Sequence, residues 1–134
     1  MLQGAARNLL PYLTARQNVE FAQSAARARR HELPTPAEVL ELVGLYERSN
    51  APLGTLTPGQ LQLAAVAVAV ATRPGLLLGD EPTSQLDHEA RDTVLDALGQ
   101  INAEMGTTIV VVTHDPDVAA ACDRVCHIAD GRFT

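Results

Sequence analysis

The sequence predicts an α/β fold built on a parallel sheet. Three observations carry this. Leu76-Leu77-Leu78 is an apolar run bounded by Gly75 and a turn, the pattern of a strand buried on both faces under helical layers. Thr107 to Thr113 is a second such run, rich in β-branched residues, and it follows a helical pattern that closes at Gly106. Arg124 to Ala129 reads as a third, ending in the Asp130-Gly131 turn, so strand, helix, strand, helix, strand implies right-handed crossovers and parallel pairing.

The earlier half reads as helical. Thr14 and Gln17 form a capping box, which predicts a helix from about Ala15 to Arg30 before Pro34 and Pro36 interrupt. Thr35 and Glu38 repeat the box with Pro36 at the first helical position, opening a helix through Val39, Leu40, Leu42 and Val43 that ends near Gly44. Asn50 to Gly54 is a loop. From Gly59 to Thr72 the residues are almost uniformly apolar, too long for an ordinary buried strand, and the reading is helix. Beyond the Leu76 strand, Asp87 can cap a helix whose apolar positions Val94, Leu95, Leu98, Ile101 and Met105 recur at helical spacing. Asp115 and Pro116 start a short helix that runs to Cys122.

Composition bounds the function. At 134 residues with 46% apolar content, the chain is long enough for one core. A net charge of −6 with scattered acids argues against a nucleic-acid partner, and the cluster Arg27, Arg29 and Arg30 reads as a solvated helix face. The longest apolar stretch, Leu63 to Ala71, is too short to cross a bilayer, and no secretory signal is evident. Cys122 and Cys126, beside His127, fall short of a zinc ligand set and read as buried reduced thiols, which fits a cytoplasmic compartment.

Chemistry concentrates where the leucine strand ends. Asp80 and Glu81 would emerge at the carboxyl end of a parallel strand, where ligands of such sheets bind. One carboxylate there can hold Mg²⁺ through its water shell, while its neighbour reaches a water that attacks a γ-phosphate. An isolated Asp-Glu pair can equally cap a strand-to-turn junction. The run from Leu76 to Asp87 resembles, however, the Walker B and D-loop of ATP-binding-cassette (ABC) ATPases: an apolar strand, Asp-Glu, Pro-Thr-Ser, then Leu-Asp. Leu56-Thr57-Pro58-Gly59-Gln60 is similar to the L-S-G-G-Q signature of that family, with Pro58 in place of a glycine. Val110-Val111-Val112-Thr113-His114-Asp115 resembles its H-loop, and Gln3 its Q-loop glutamine. Four motifs in the family's order span essentially the whole chain.

The resemblance implies a partial P-loop NTPase-like parallel sheet with helices, plus an α-helical subdomain carrying the signature. Residues 1–13 would be the Q-loop remnant, 14–72 the helical subdomain, and 73–134 the core with Walker B, D-loop and H-loop. It implies ATP and Mg²⁺ as ligands, with Glu81 and His114 catalytic, Asp80 and Gln3 at the metal, and Thr57, Gly59, Gln60, Ser84 and Asp87 contacting nucleotide across a dimer. The implied partners are a second nucleotide-binding domain and an integral-membrane transporter subunit, which would hold the protein at the cytoplasmic face of the membrane. Residues 8–19 and the Pro82 to Asp87 segment look most like exporters of the lipoprotein-releasing and macrolide-efflux type.

One part of that family's site does not occur in these 134 residues. There is no lysine, and no G-x-x-x-x-G-K-[ST] loop to cradle phosphates. Because the resemblance begins at Gln3, the chain reads as the carboxyl-terminal portion of such a domain. Two other readings stand beside the transporter ATPase: a non-catalytic remnant or interaction module, favoured by the missing loop, and a portion of a soluble ABC ATPase, disfavoured by the acidic charge and the lack of a coiled-coil insertion.

Overall fold

A computed structural model of the chain describes residues 2, 4–26 and 32–134. Gln3 and the cluster Arg27, Arg29 and Arg30 lie outside the described residues. The elements in chain order are α1 (Ala5–Asn8), α2 (Ala15–Ala25), α3 (Pro36–Leu42), α4 (Pro58–Val70), β1 (Leu76–Asp80), α5 (His88–Met105), β2 (Thr108–Val112), α6 (Pro116–Ala120), β3 (Ile128–Ala129) and β4 (Arg132–Phe133), with 3-10 turns at Tyr46–Arg48 and Leu53–Thr55.

The helix starts follow from their caps. Thr14 and Thr35 each form the expected reciprocal box, with Gln17 and Glu38 respectively, so two backbone donors are satisfied at each entry. The same box recurs at Thr57 and Gln60, where Pro58 fills the first helical position and needs no N–H partner. Asp87 caps α5 by accepting from the Ala90 N–H at 2.8 Å, and Gly106, at φ +69°, closes it in the left-handed conformation that glycine adopts without strain. Helix α2 ends at Ala25, short of the expected Arg30, because Ala26 is extended.

The core centres on α4. Leu63, Ala64, Ala65, Val66, Ala67 and Val70 are buried, which is why that helix is apolar on every side. Packed around it are Val19 of α2, Val39 and Leu40 of α3, and Val94, Leu98 and Ile101 of α5. Asn18, buried, secures the turn before α2: its amide accepts from the Leu10 N–H at 2.7 Å and donates to the carbonyls of Leu10, Leu13 and Thr14.

Strands β1 and β2 pair in parallel, with Leu76 opposite Thr108 and Asp80 opposite Val112, and Leu2 adds a parallel bridge at Gly79. Two strand expectations are corrected. β1 is buried on one face only: Leu77 lies inward, whereas Leu76 and Leu78, with Val110 and Val112 of β2, form an exposed apolar face. Among the described residues helices cover just one side of the sheet, so the period-2 alternation of the backbone separates the three leucines. The third strand is also shorter than expected. Residues 128–129 pair antiparallel with 132–133 around Gly131, a pairing that the Thr134 N–H extends to the His127 carbonyl, and they do not join β1 and β2; every residue from 121 to 134 is exposed. Cys122 and Cys126 share that exposure, which overturns their expected burial; both are free thiols.

Candidate functional site

The parallel pairing of β1 and β2 brings both strand ends to one place. Asp80 is the last residue of β1, and Glu81 follows it in a left-handed backbone conformation, φ +48°. For a residue with a Cβ that conformation costs on the order of 1–2 kcal/mol. Two hydrogen bonds hold it: the Glu81 N–H donates to the Val112 carbonyl at 2.8 Å, and the Glu81 carboxylate accepts from the His114 N–H at 3.0 Å. The turn therefore aims Glu81 across the sheet end at the residue after β2. His114 Nε2 lies 3.7 Å from the same carboxylate oxygen, and the imidazole is 98% exposed, free to meet a ligand from solvent.

Gly79 permits this turn. A Cβ at that position would come within 3.3 Å of the Pro82 ring, which folds back over the strand. Asp80 is exposed, and its carboxylate has no protein partner among the described residues. A carboxylate is a hard oxygen donor of the kind Mg²⁺ accepts, and among the described residues no group of three ligating side chains gathers here.

A second group of residues lies at the start of α4 and on the turn from Pro82 to Asp87. Buried Gln62 donates to the Pro82 carbonyl at 2.7 Å, joining α4 to that turn. Gly59 is buried against the first turn of α5, where a Cβ would sit 2.9 Å from the Cβ of Ala90. Thr57, Gln60, Ser84 and Asp87 are thus held near one α4–α5 junction, with Thr57, Ser84 and Asp87 exposed. Their side chains make no hydrogen bond to Asp80, Glu81 or His114, so the described structure presents two clusters joined through the Glu81–Asp87 turn.

Sequence reasoning missed Gln62 and Arg91. The signal for Gln62 was a lone amide inside an apolar helix, which burial obliges to find a partner. Arg91 had no local signal, because its partners Asp115 and Asp117 come from beyond β2. Asp92, Asp117 and Asp115 hold the Arg91 guanidinium charged, against the desolvation of its surroundings. The Asp115 carboxyl is in turn held below its ordinary value, first by the Asp117 backbone N–H and then by Arg91.

The AAA domain family, by a model whose description also names the AbiEii toxin of Type IV TA systems, matches residues 3–120. The lipoprotein-releasing system ATP-binding protein LolD 1 of Caulobacter vibrioides is 42% identical over 132 residues, which cover 95% of this chain and 55% of that protein. The methionine import ATP-binding protein MetN of Salmonella enteritidis is 44% identical over 127 residues, covering 93% of this chain and 40% of its own length. Among solved structures, cbiO1 of Clostridium perfringens, part of an ABC transporter complex, superposes with a TM-score of 0.85 at 26% identity, covering 99% of this chain and 54% of that one. A dimeric ATP-binding cassette solved in a post-hydrolysis state with ADP and Pi superposes with a TM-score of 0.74 at 33% identity, covering 99% of this chain and 62% of that one. The chain spans about half the length of the curated relatives it matches. With its parallel sheet, its carboxylate pair at a strand end and these relatives, the chain belongs to the AAA domain family and is part of a nucleotide-binding domain of the ABC type.

Proposed function

We propose that this chain supplies the signature, Walker B, D-loop and H-loop portion of an ABC transporter's ATP-hydrolysing subunit, and that the subunit powers transport through an integral-membrane partner. The observation that carries the reading is the contact between Glu81 and His114 at the joined ends of β1 and β2. In this reading Glu81 takes the proton of the water that attacks the γ-phosphate, and His114 donates to that phosphate and orients the water. Asp80, with Gln3, would hold Mg²⁺, which when bound would neutralise charge on the phosphates. Thr57, Gly59 and Gln60, with Ser84 and Asp87, face ATP held by a second nucleotide-binding domain, so that two domains sandwich the nucleotide.

Support for the dimer is the likeness to a dimeric ATP-binding cassette holding ADP and Pi, and support for the transporter role is the likeness to ATP-binding proteins of lipoprotein-releasing and methionine import systems. No described helix is long and apolar enough to cross a membrane, which suits a subunit held at the cytoplasmic face by its membrane partner. Residues 14–72 act as the helical subdomain and 73–134 as the hydrolytic core, and a lipoprotein-releasing or macrolide-export type is the favoured branch. The test is to fuse an amino-terminal segment carrying the phosphate-binding loop ahead of this chain and compare Glu81→Gln with its parent. Loss of the proton acceptor is expected to slow ATP turnover by about 10² to 10⁴ while nucleotide still binds. Turnover at the parental rate would remove Glu81 from the mechanism.

A further inference from the structure

We infer that Arg91 is a positioning residue that clamps the His114 loop to α5 and so keeps His114 in register with Glu81, an inference that rests on reading those two residues as the hydrolytic pair. Arg91 lies in the first turn of α5 with its side chain only 11% exposed, and its guanidinium spans three carboxylates. Its Nη1 donates to Asp115 Oδ2 at 3.3 Å and to Asp117 Oδ2 at 3.0 Å, while Nε donates to Asp92 Oδ1 at 3.0 Å. A planar fork can serve separated acceptors at once, which an ammonium on a single stem cannot do as well.

The clamp closes on both sides of His114. The Asp115 N–H donates to Thr113 Oγ1 at 3.0 Å, and Asp115 Oδ1 accepts from the Asp117 N–H at 2.9 Å, which starts α6. His114 itself is tied down by its N–H bond to Glu81, while its ring, almost wholly exposed, gains no packing. Buried Val118 anchors α6 four residues later. Arg91 thus supplies the side-chain link from the body of the fold to the residues that flank His114. It also lies next to Ala90, the residue against which Gly59 packs at the start of α4.

Amide hydrogen exchange of the full chain, followed residue by residue by NMR, tests the clamp directly. Arg91→Ala is expected to speed exchange of the His114 amide by about tenfold, while the amides of Val66 in α4 and Ile101 in α5 stay within about twofold of the parent, because local opening need not involve the core. Arg91→Lys, which keeps charge but loses the fork, should recover part of that protection. Asp117→Ala removes one exposed partner and should speed His114 by about threefold; it carries the test alone should Arg91→Ala fail to fold. Unchanged exchange at His114 would overturn the inference, as would equal acceleration at His114, Val66 and Ile101, since Arg91 would then serve stability only. Exchange does not depend on what Glu81 does chemically, so a fused Glu81→Gln protein that still turned over ATP would sink the hydrolytic reading and leave the clamp standing.

Discussion

Gly59 is where packing and the proposed signature chemistry meet, and a double-mutant cycle with Ala90 isolates the packing. In Gly59→Ala the new Cβ would stand 2.9 Å from the Cβ of Ala90, well inside the roughly 3.5–4.0 Å at which carbon atoms attract. Helices α4 and α5 must part by about 0.6–1 Å at their first turns to admit it. Overpacking of this size costs about 1–3 kcal/mol, and alanine's better helix propensity returns about 0.5–1 kcal/mol, leaving a net loss near 1 kcal/mol. For a chain of this length that lowers Tm by roughly 3–5 °C. Ala90→Gly alone loses about 1 kcal/mol through helix propensity. Combined, the two substitutions exchange a methyl across the junction without a clash, so the double variant should lie within about 0.5 kcal/mol of the parent, a coupling of at least ~1 kcal/mol. Urea unfolding with a common m-value reads each stability. If the two losses simply added, to within about 0.5 kcal/mol, the close approach of α4 to α5 would not be why position 59 is glycine.

Other expectations follow from the same geometry. Leu77→Ala should cost about 2–5 kcal/mol and Leu78→Ala less than about 1.5 kcal/mol, because Leu77 is 4% exposed and Leu78 44%; equal losses in urea unfolding would restore a sheet buried on both faces. The Asp115 carboxyl, lowered from 3.8 in the folded chain, stabilises the fold at all pH above its unfolded value and loses that contribution as pH falls through the folded value, so a ¹³C carboxyl titration should give a midpoint below 3.8, and one at or above it would contradict the hydrogen bonds described. Because these 134 residues hold no lysine and no phosphate-cradling loop, calorimetry of the chain alone should detect no Mg-ATP binding tighter than about 100 µM; a Kd at or below about 1 µM would mean that the chain contains a complete nucleotide site.

The parts of the fold legible in sequence are those whose cause is local. Thr14 with Gln17 and Thr35 with Glu38 announce their helices because the cap and its partner lie three residues apart, and Asp80-Glu81 announces a strand end because the chain must turn there. What stayed hidden depends on distant neighbours. Whether Leu76 and Leu78 are covered is decided by elements elsewhere in the chain, the exposure of Cys122 and Cys126 by the absence, among the described residues, of an element that buries 121–134, and the role of Arg91 by carboxylates 24 and 26 residues away. α1 was missed because one short turn of helix carries no period to detect.

One local signal was present and passed over. The Thr-x-x-Gln spacing that marks α2 recurs at Thr57 and Gln60, where the resemblance implies nucleotide contacts and the structure shows a cap. The two roles are chemically compatible. The capping box uses acceptor oxygens: Thr57 Oγ1 receives the Gln60 N–H at 3.2 Å, and Gln60 Oε1 receives the Thr57 N–H at 3.0 Å. It leaves the donors unspent, the Thr57 hydroxyl hydrogen and the Gln60 amide hydrogens, and donors are what a phosphate needs. Pro58 removes one backbone N–H from this turn, but in the first helical position that N–H has no helical partner to lose. The box therefore fixes the geometry of α4's first turn with one half of its hydrogen-bonding capacity and leaves the other half available, which the proposed anion contact would use. A valine at position 57, similar in shape to threonine, would lose both halves, whereas a serine would keep both, so the pair of substitutions distinguishes a cap that also binds from packing alone.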